Sequence, residues 1–486
     1  MINLFVFTND LRLNDNPLLY EASNNATVVP IFVYDTTNQN WNYGSAFKWW
    51  LYQNLYSLKY LLQTKYNADL ILLKGNWFEQ LKILVDNIKP DAVYVNYNVH
   101  PYIRNQISLL QNFLYVKNIK FKTGFSNLLF EPSIILNSKN TTYKIFTKFL
   151  NKVLQMPIRQ EYPICKNIIF DKSFLKYGIS LDALELLDTY PWYKKLEANW
   201  SKPNSIDVLK NLDSFCTKNL DNYHLLRNFP AKDSTSKLSP HLSIGTISPH
   251  QIIYKIIDYY NVGSVNKLPQ GPKTFVSELI WREFSHYLLY HNPQMTDTPI
   301  NTRYINFPWN TNVQLYKAWC KGLTGYPIVD AGMRQLWESG WMHNRVRMIV
   351  ASFLIKNGLQ NWLNGAKWFW DTLIDADIAN NSQNWQWVCG CGVDPMPYFR
   401  IFNPTLQSKK FDPQGTYIQK WIPELKHVDT KYIHEPWTIP SSLFSKYKLK
   451  PNIDYPLPLI DYNKSKNIFL MYAEKYIATA KTTHNK

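Results

Sequence analysis

One segment in the C-terminal half carries side chains suited to holding a planar ligand. Residues 341–353, WMHNRVRMIVASF, are periodic enough for a buried helix, with Asn344, Arg347 and Met348 on one face at i, i+3 and i+4 spacing. A guanidinium and an amide beside apolar groups suit a heteroaromatic ring bearing carbonyls and N–H groups, because a buried arginine must find acceptors. An arginine neutralised by an internal carboxylate is the alternative, which this segment by itself favours.

A second segment, residues 371–387, supplies carboxylates. It reads DTLIDADIANNSQNWQW and brings Asp375, Asp377 and Asn381 within two turns of one another. Carboxylates this close among apolar residues need cationic or N–H partners, and Arg347 is the obvious candidate. Two aspartates at i, i+2 with no nearby His or Glu make a poor metal site, so we predict no metal.

A third segment, residues 274–287 (TFVSELIWREFSHY), predicts a helix with a mixed aromatic and charged stripe. The stripe consists of Glu278, Trp281, Arg282 and Ser285. A tryptophan flanked by these charges can stack on a nucleic-acid base while the charged groups hydrogen-bond the base edge and a phosphate. An amphipathic helix with an intrahelical salt bridge explains the segment equally well.

A fourth segment, residues 233–245 (DSTSKLSPHLSIG), crowds hydroxyl groups just before a helix that Pro240 could open. The hydroxyl residues are Ser234, Thr235, Ser236, Ser239 and Ser243. Hydroxyl and free N–H groups at a helix N-terminus bind phosphate well. A simple helix cap accounts for the same residues and is favoured without further context.

The elements that position these segments fall into two classes. In the first third of the chain, apolar runs at residues 2–6, 28–34, 69–73 and 92–95 predict strands, and residues 45–65 and 101–117 predict helices. This alternation predicts βαβ units and a parallel sheet with helices on both faces. The first strand is followed by TNDLRLNDNP and not by G-x-G-x-x-G, so we expect the main cofactor to bind elsewhere.

We predict an α/β domain over residues 1–125, a linker over 126–205, an all-α domain over 206–475 and a short tail over 476–486. The formal net charge of +17 leaves a nucleic-acid partner about as probable as not. Five cysteines without a CxxC pair disfavour a disulfide framework, and the N-terminus does not resemble a signal peptide. We expect a soluble, monomeric cytoplasmic protein without a membrane span, associated with the nucleoid if bacterial.

The four segments, in this order, resemble the photolyase and cryptochrome family. The match continues through GYPIVDAGMRQL at 325–336 and PYFRIFNPTLQSKKFDPQG at 397–415, and it covers nearly the whole chain. It is densest at residues 220–425 and most similar to class I-type cyclobutane pyrimidine dimer photolyases. The resemblance implies an N-terminal Rossmann-like domain joined by a long linker to a helical domain that holds FAD in a folded conformation.

The resemblance also implies roles for individual residues. FAD contacts map to Tyr223, Thr235, Ser236, Lys237, Leu238, Ser239, Phe275, Asn344, Arg347, Asp375, Asp377 and Asn381. Among these, Arg347 and Asp375 match an ion pair against the flavin, and Asn381 matches the position near flavin N5. The pocket for a flipped-out dimer and its chemistry map to Glu278, Trp281, Asn344, Met348, Asn381 and Trp387. Other DNA contacts map to Arg227, Arg282, Ser285, Arg345, Arg400 and Gln407, and the electron path maps to Trp385, Trp362 and Trp309.

The implied activity is light-dependent repair of pyrimidine dimers in DNA by a deoxyribodipyrimidine photo-lyase. Excited, fully reduced FAD donates an electron to the dimer, the bonds joining the two pyrimidines break, and the electron returns. A blue-light-sensing cryptochrome without repair activity is the alternative, and a basic nucleic-acid-binding module without catalysis is a more distant one. Many members of the family also bind a second, antenna chromophore in or beside the N-terminal domain. Asn96 is retained in its motif, but His100 stands where a folate-binding glutamate is expected, so folate, deazaflavin, flavin and no antenna all remain open.

Overall fold

The computed structural model describes residues 1–201, 205–450 and 452–478. The chain separates into two compact units. Unit 1 comprises Met1–His224, Thr235–Pro293 and Ile374–Ala379, and unit 2 comprises Leu225–Ser234, Gln294–Leu373 and Asn380–Lys486. No helix among the described residues is both long enough and apolar enough to cross a membrane.

Unit 1 is built on a five-stranded parallel sheet in the order β3-β2-β1-β4-β5. The strands are β1 Ile2–Phe7, β2 Thr27–Tyr34, β3 Ile71–Lys74, β4 Ala92–Asn96 and β5 Lys120–Gly124. In register, Phe5 pairs with Pro30 on one side and with Tyr94 on the other. The strand order reverses at β1, and open α/β sheets bind ligands at the carboxyl ends of strands near such a reversal.

The first ten helices surround this sheet or follow it. They are α1 Pro17–Ala22, α2 Ser45–Tyr66, α3 Trp77–Ile88, α4 Pro101–Val116, α5 Phe146–Val153, α6 Lys194–Asn199, α7 Ser205–Lys218, α8 Tyr223–Leu226, α9 Ser239–Ile244 and α10 Pro249–Tyr259. The core of the α/β part joins the strands to α3 and α4 through buried aliphatic side chains, among them Leu4, Val29, Leu81, Val93 and Leu110. Burial of both faces of β1, β2 and β4 explains why these three strands read as continuous apolar runs.

The rest of the chain is helical. Its helices are α11 Gln270–His291, α12 Val313–Lys321, α13 Pro327–Ser339, α14 Asn344–Ser352, α15 Trp362–Thr372, α16 Ile378–Cys389, α17 Pro404–Phe411, α18 Thr416–Trp421, α19 Thr430–Ile433, α20 Phe444–Tyr447 and α21 Tyr462–Ala473. A π-helix, Phe353–Asn357, continues α14, and another, Glu474–Ala478, continues α21. The predicted combination of a Rossmann-like parallel sheet with a helical domain is confirmed.

Two segments differ locally from the sequence-based expectation. The stretch 371–387 is not one helix, because α15 ends at Thr372 and α16 begins at Ile378, which leaves Asp375 and Asp377 on the connection. The connection expected over 126–205 contains the regular helix α5, whose buried side chains are Phe146, Phe149 and Val153. That i, i+3, i+7 spacing is a helical signal, although it spans only eight residues.

Candidate functional site

Two predicted FAD residues of unit 1 lie in one aromatic cluster. The rings of Tyr223 and Phe275 meet edge to face, with centroids 5.3 Å apart and planes at 90°. Phe215 packs against both, at 4.8 Å from Phe275 and 5.8 Å from Tyr223. The cluster joins α7, α8 and the start of α11, and it gives this part of unit 1 a rigid apolar wall of the kind that aromatic cofactors pack against.

The predicted FAD loop, residues 235–239, carries a strained backbone. Lys237 has φ of +52°, a left-handed conformation that lysine adopts rarely. Leu238 N–H donates to Ser236 Oγ over 3.4 Å, while Thr235 and Ser236 remain half-buried. Ser239 begins α9 with Pro240 in its first turn, as predicted, but no side chain caps this helix. The hydroxyls of the loop therefore do not serve as the simple cap that sequence reasoning favoured.

Asp377 has a partner that sequence reasoning did not identify. Its Oδ2 lies 3.1 Å from His286 Nε2, and both side chains are almost fully buried. The other ring nitrogen of His286, Nδ1, lies within hydrogen-bonding distance of the Arg282 carbonyl oxygen, at 3.0 Å. The sequence did indicate that His286 belongs to the predicted stripe of α11. It follows Glu278 by eight residues and Arg282 by four, which places it on the same face of the helix.

Two residues of α11 that are predicted to contact the lesion are only partly buried. Glu278 and Trp281 are half-buried, and one face of the Trp281 indole is covered by Phe146, with ring centroids 3.6 Å apart and planes at 10°. Glu278 lies one turn before Trp281 on the helix. A partly open indole beside a carboxylate has the composition of a surface that takes up a base.

Arg282 and Ser285, both predicted to contact DNA, lie in the interior of unit 1 and not at its surface. Arg282 is 7% exposed and donates to Asn127 O at 2.9 Å, to Leu242 O at 3.3 Å and to Glu283 Oε1 at 3.2 Å. Ser285 is buried and donates to Trp281 O at 3.0 Å. Because Nη1 and Nη2 of Arg282 and the Ser285 hydroxyl already donate inside unit 1, these contacts favour a structural role over the DNA contact predicted for each residue.

In unit 2, α14 presents the predicted face. Asn344 is exposed, and both Arg347 and Met348 are half-buried. The buried residues of the helix are Val346, Ile349, Val350, Ala351 and Ser352. Arg347 Nε donates to Met342 O at 2.7 Å, which fixes the base of the guanidinium. His343 caps the helix, with Nδ1 accepting from Arg345 N–H at 3.2 Å.

Two predicted DNA contacts, Arg227 and Arg345, lie near His343 in unit 2. Burial, and then the positive charges of Arg345 and Arg347, lower the pKa of His343 to about 4, while a hydrogen bond to the Arg227 backbone opposes this shift. Arg345 donates through Nε and Nη2 to Asn228 Oδ1, at 3.2 and 2.7 Å. These guanidinium groups form a basic cluster of the kind that binds phosphate.

The loop before α17 exposes another predicted DNA contact. Arg400 is exposed beside Phe399, and Gln407 is half-buried on α17. The fully buried Lys356 holds the backbone of this loop, since its Nζ donates to Arg400 O at 2.9 Å and to Tyr398 O at 3.4 Å. Burial lowers the pKa of Lys356 to about 8.

The predicted electron-transfer tryptophans all belong to unit 2. Trp385 and Trp362 are buried, at 3% and 2% exposed, and Trp309 is half-buried with its ring 4.4 Å from Phe307. Trp385 packs edge-on against Phe369 at 5.0 Å.

The same helix as Trp385, α16, carries Trp387 and Asn381. Trp387 is half-buried, and Asn381 Nδ2 donates to Ala366 O at 2.9 Å. This bond sets the orientation of the Asn381 amide. Arg347 belongs to unit 2 and Asp375 to unit 1, so the ion pair expected between them stays a prediction.

Unit 1 also contains an open cavity at the carboxyl ends of β1, β2 and β4. It encloses about 510 Å³, including the part open to solvent. Its walls are aromatic and amide-rich: Phe7, Thr8, Asn9, Phe32, Val33, Asp35, Asn38, Trp41, Asn42, Tyr43, Trp77, Asn98, His100, Tyr102 and Ile103. This size and composition suit a planar organic ligand.

Among the described residues, no group of three or more His, Cys, Asp or Glu side chains could hold a metal ion.

The two residues considered for an antenna have different surroundings. His100 lines this cavity and caps α4, with Nδ1 accepting from Tyr102 N–H at 3.2 Å. Asn96 Nδ2 instead donates into a buried network, to Asn16 Oδ1 at 3.0 Å and to Asp10. Its amide supports the strand ends and is not part of the cavity wall.

Comparison with known families gives two matches to this chain. The model for the FAD binding domain of DNA photolyase matches residues 275–475, and the DNA photolyase model matches residues 3–164. The predicted FAD cofactor is confirmed by the first of these matches.

Individual relatives match over nearly the full chain. A deoxyribodipyrimidine photo-lyase of Agrobacterium fabrum is 38% identical over 98% of each chain. Cryptochrome-2 of Arabidopsis thaliana is 32% identical and matches 95% of this chain but 77% of its own length.

Solved structures agree with these matches. A bacterial class III photolyase from Agrobacterium tumefaciens has a TM-score of 0.91 at 36% identity, with 98% of this chain and 97% of that chain covered. An archaeal photolyase from Sulfolobus tokodaii, described with two FAD molecules that imply a novel light-harvesting cofactor, has a TM-score of 0.81 at 30% identity, with 98% of this chain and 100% of that chain covered.

Proposed function

The chain belongs to the DNA photolyase family, and from this premise we propose that it repairs cyclobutane pyrimidine dimers in DNA under light. The observation that carries the proposal is the arrangement of α11. This one helix holds Phe275 in the aromatic cluster of the predicted cofactor site, and within two turns it presents Glu278 and the partly open ring of Trp281. A cofactor wall and a base-stacking surface on adjacent turns suit a reaction between a bound flavin and a base taken out of the helix.

The side chains have separate tasks in this proposal. Trp281 stacks on the extruded pyrimidine, and Glu278 hydrogen-bonds its polar edge. When bound, reduced FAD supplies on excitation the electron that opens the dimer. The family resemblance assigns Asn381, whose Nδ2 donates to Ala366 O, to the position near flavin N5, and it assigns Trp385, Trp362 and Trp309 to the path whose electrons keep the cofactor reduced.

A direct assay tests the proposal. Purified, chemically reduced protein is incubated with a thymine-dimer oligonucleotide under blue light or in darkness, and restored thymines are scored by chromatography. We expect restoration in the light only. Flavin photoreduction without restoration of thymines would instead support the cryptochrome alternative, which the similarity to Cryptochrome-2 keeps in view. Purified protein that releases no flavin on denaturation would support the non-catalytic binding module.

We further propose that the cavity of unit 1 takes a second, light-harvesting chromophore. The support is its position at the carboxyl ends of three parallel strands, together with aromatic walls that include Trp41 and Tyr43. The test is chromatography of pigments released from protein expressed in a chromophore-producing host. A second pigment that is present in wild type and reduced in a Trp41→Ala variant supports this site, whereas equal pigment in both places the chromophore elsewhere.

A further inference from the structure

Trp281 is paired with a ring from a distant part of the sequence. Phe146 begins α5 in the stretch predicted to be an irregular connection, and its ring lies flat on the indole, with centroids 3.6 Å apart and planes at 10°. Phe146 is 7% exposed, whereas Trp281 is half-buried. One face of the indole is therefore covered by protein, and a ligand can use only what remains.

A third ring restricts Trp281 further. Phe284, one turn later on α11, meets Trp281 edge to face at 5.9 Å and 71°, and it meets Phe146 at 5.8 Å and 62°. An indole with one face stacked and an edge blocked cannot swing to another rotamer without displacing a neighbour. Its orientation is set by packing before any ligand arrives.

Helix α5 is itself fixed to α11. Phe149 is fully buried and packs against Phe284 and Tyr287, each at 5.0 Å. Upstream of α5, Tyr143 N–H donates to the Tyr287 hydroxyl oxygen at 2.8 Å, and that hydroxyl donates to Ile135 O at 3.0 Å. The connection thus holds Phe146 in place on a buried part of α11.

We propose that Phe146 is a positioning residue for damaged-base recognition, acting through Trp281. This inference rests on the proposed lesion-binding role of Trp281. A side chain that is already ordered loses less conformational freedom when it binds, so preorganisation strengthens binding without any new contact to the ligand. Removing the Phe146 ring frees the indole and weakens dimer binding, although Phe146 does not touch DNA.

The experiment compares matched variants of the full-length, flavin-loaded protein. Phe146→Leu removes the ring on Trp281, and Phe149→Leu removes a ring from the same helix that packs on Phe284 and Tyr287 instead. Affinity is measured in darkness for a thymine-dimer duplex and for the undamaged duplex. We expect Phe146→Leu to lower the ratio of dimer affinity to undamaged-duplex affinity on the order of fivefold. Phe149→Leu should leave this ratio unchanged.

A double-mutant cycle shows whether the effect passes through Trp281. In a Trp281→Ala background, Phe146→Leu should cause no further loss of dimer affinity, because the ring that it orients is gone. If the two substitutions lowered dimer affinity independently, so that their fold-losses multiplied in the double variant, the inference would be overturned. It would also be overturned if Phe146→Leu kept the wild-type ratio of dimer affinity to undamaged-duplex affinity. Phe146→Met serves in the same cycle if the leucine variant fails to bind flavin.

The same measurements distinguish failure of the proposed repair function from failure of the positioning role of Phe146. Wild-type protein without preference for the dimer duplex, and without light-dependent restoration of thymines, would refute the proposed function together with this inference. A wild-type preference that Phe146→Leu leaves intact would refute the positioning role alone.

Discussion

At the scale of single residues, the predicted electron path runs through side chains of different exposure. Trp385 and Trp362 are almost fully buried, and Trp309 is half-buried. A buried indole is shielded from solvent reductants, whereas a half-buried one can exchange electrons with them. We therefore assign Trp309 to the outer end of the path, in agreement with the family resemblance.

We expect Trp309→Phe to slow flavin photoreduction at least tenfold, because phenylalanine cannot be oxidised in place of tryptophan. Repair by protein that was reduced chemically beforehand should be unaffected. Transient absorption under blue light measures the first quantity, and the thymine-restoration assay measures the second. Trp437→Phe, which replaces a half-buried tryptophan packed on Tyr326, is the control. If Trp309→Phe abolished both photoreduction and repair, the assigned role would be wrong.

Gly365 tests the packing around Trp385. A Cβ atom at this position would lie 2.1 Å from Trp385 Cη2, which is far inside any contact distance. Gly365→Ala should therefore displace the indole, destabilise the protein by about 1–3 kcal/mol and slow photoreduction. Gly263→Ala is the matched control, since a Cβ there meets nothing within 4 Å. Equal melting temperatures and photoreduction rates for the two variants would contradict the packing argument.

At the scale of elements, α14 depends on an uncharged histidine at its N-terminus. Nδ1 of His343 must be unprotonated to accept the Arg345 N–H, and burial lowers the pKa of His343 from its ordinary value of 6.5 to about 4. Between pH 6.5 and 4 the unfolded chain binds a proton at this residue that the folded protein does not. His343 therefore makes the free energy of unfolding fall as the pH is lowered through this window.

We expect His343→Asn to weaken this pH dependence while keeping the cap, because an asparagine side-chain oxygen also accepts at this position. Between pH 6.5 and 4, the unfolding free energy of the variant should fall less steeply than that of wild type, by up to about 1.4 kcal/mol per pH unit. His343→Ala, which loses the cap, should cost about 1 kcal/mol at pH 7. Urea denaturation followed by circular dichroism at several pH values gives these slopes. Parallel pH profiles for wild type and His343→Asn would contradict the assigned pKa.

The elements differ in how far the sequence could predict them. Strands β1 and β4 and helices α2 and α4 begin at the predicted residues and end within one residue of the predicted ends, because both sheet faces are buried and helical periodicity is sustained. Helix α5 was missed because it is short and because the partner of Phe146, Trp281, lies 135 positions further along the chain. Likewise, the burial of Arg282 follows from carbonyls of residues 127 and 242, which no local pattern on α11 indicates.

At the scale of the whole molecule, the proposed function assigns different parts in DNA binding to the net charge of +17 and to the predicted lesion pocket. Arginines on phosphates release counterions, so their contribution falls as salt rises. The stacking proposed for Trp281 and the hydrogen bond proposed for Glu278 would displace few counterions. The preference for damaged DNA should consequently depend on salt much less than the affinity itself does.

We expect plots of log affinity against log salt to have the same slope for dimer and undamaged duplexes, separated by a constant offset that represents the lesion pocket. Arg400→Gln should reduce both slopes by about one, because the exposed Arg400 guanidinium is predicted to meet one phosphate. Lys172→Gln, which removes an exposed charge outside every predicted contact, should leave both slopes unchanged. Fluorescence anisotropy over a series of salt concentrations measures all three proteins. An offset that vanishes at high salt would mean that damage is recognised through phosphates and not through the ring of Trp281.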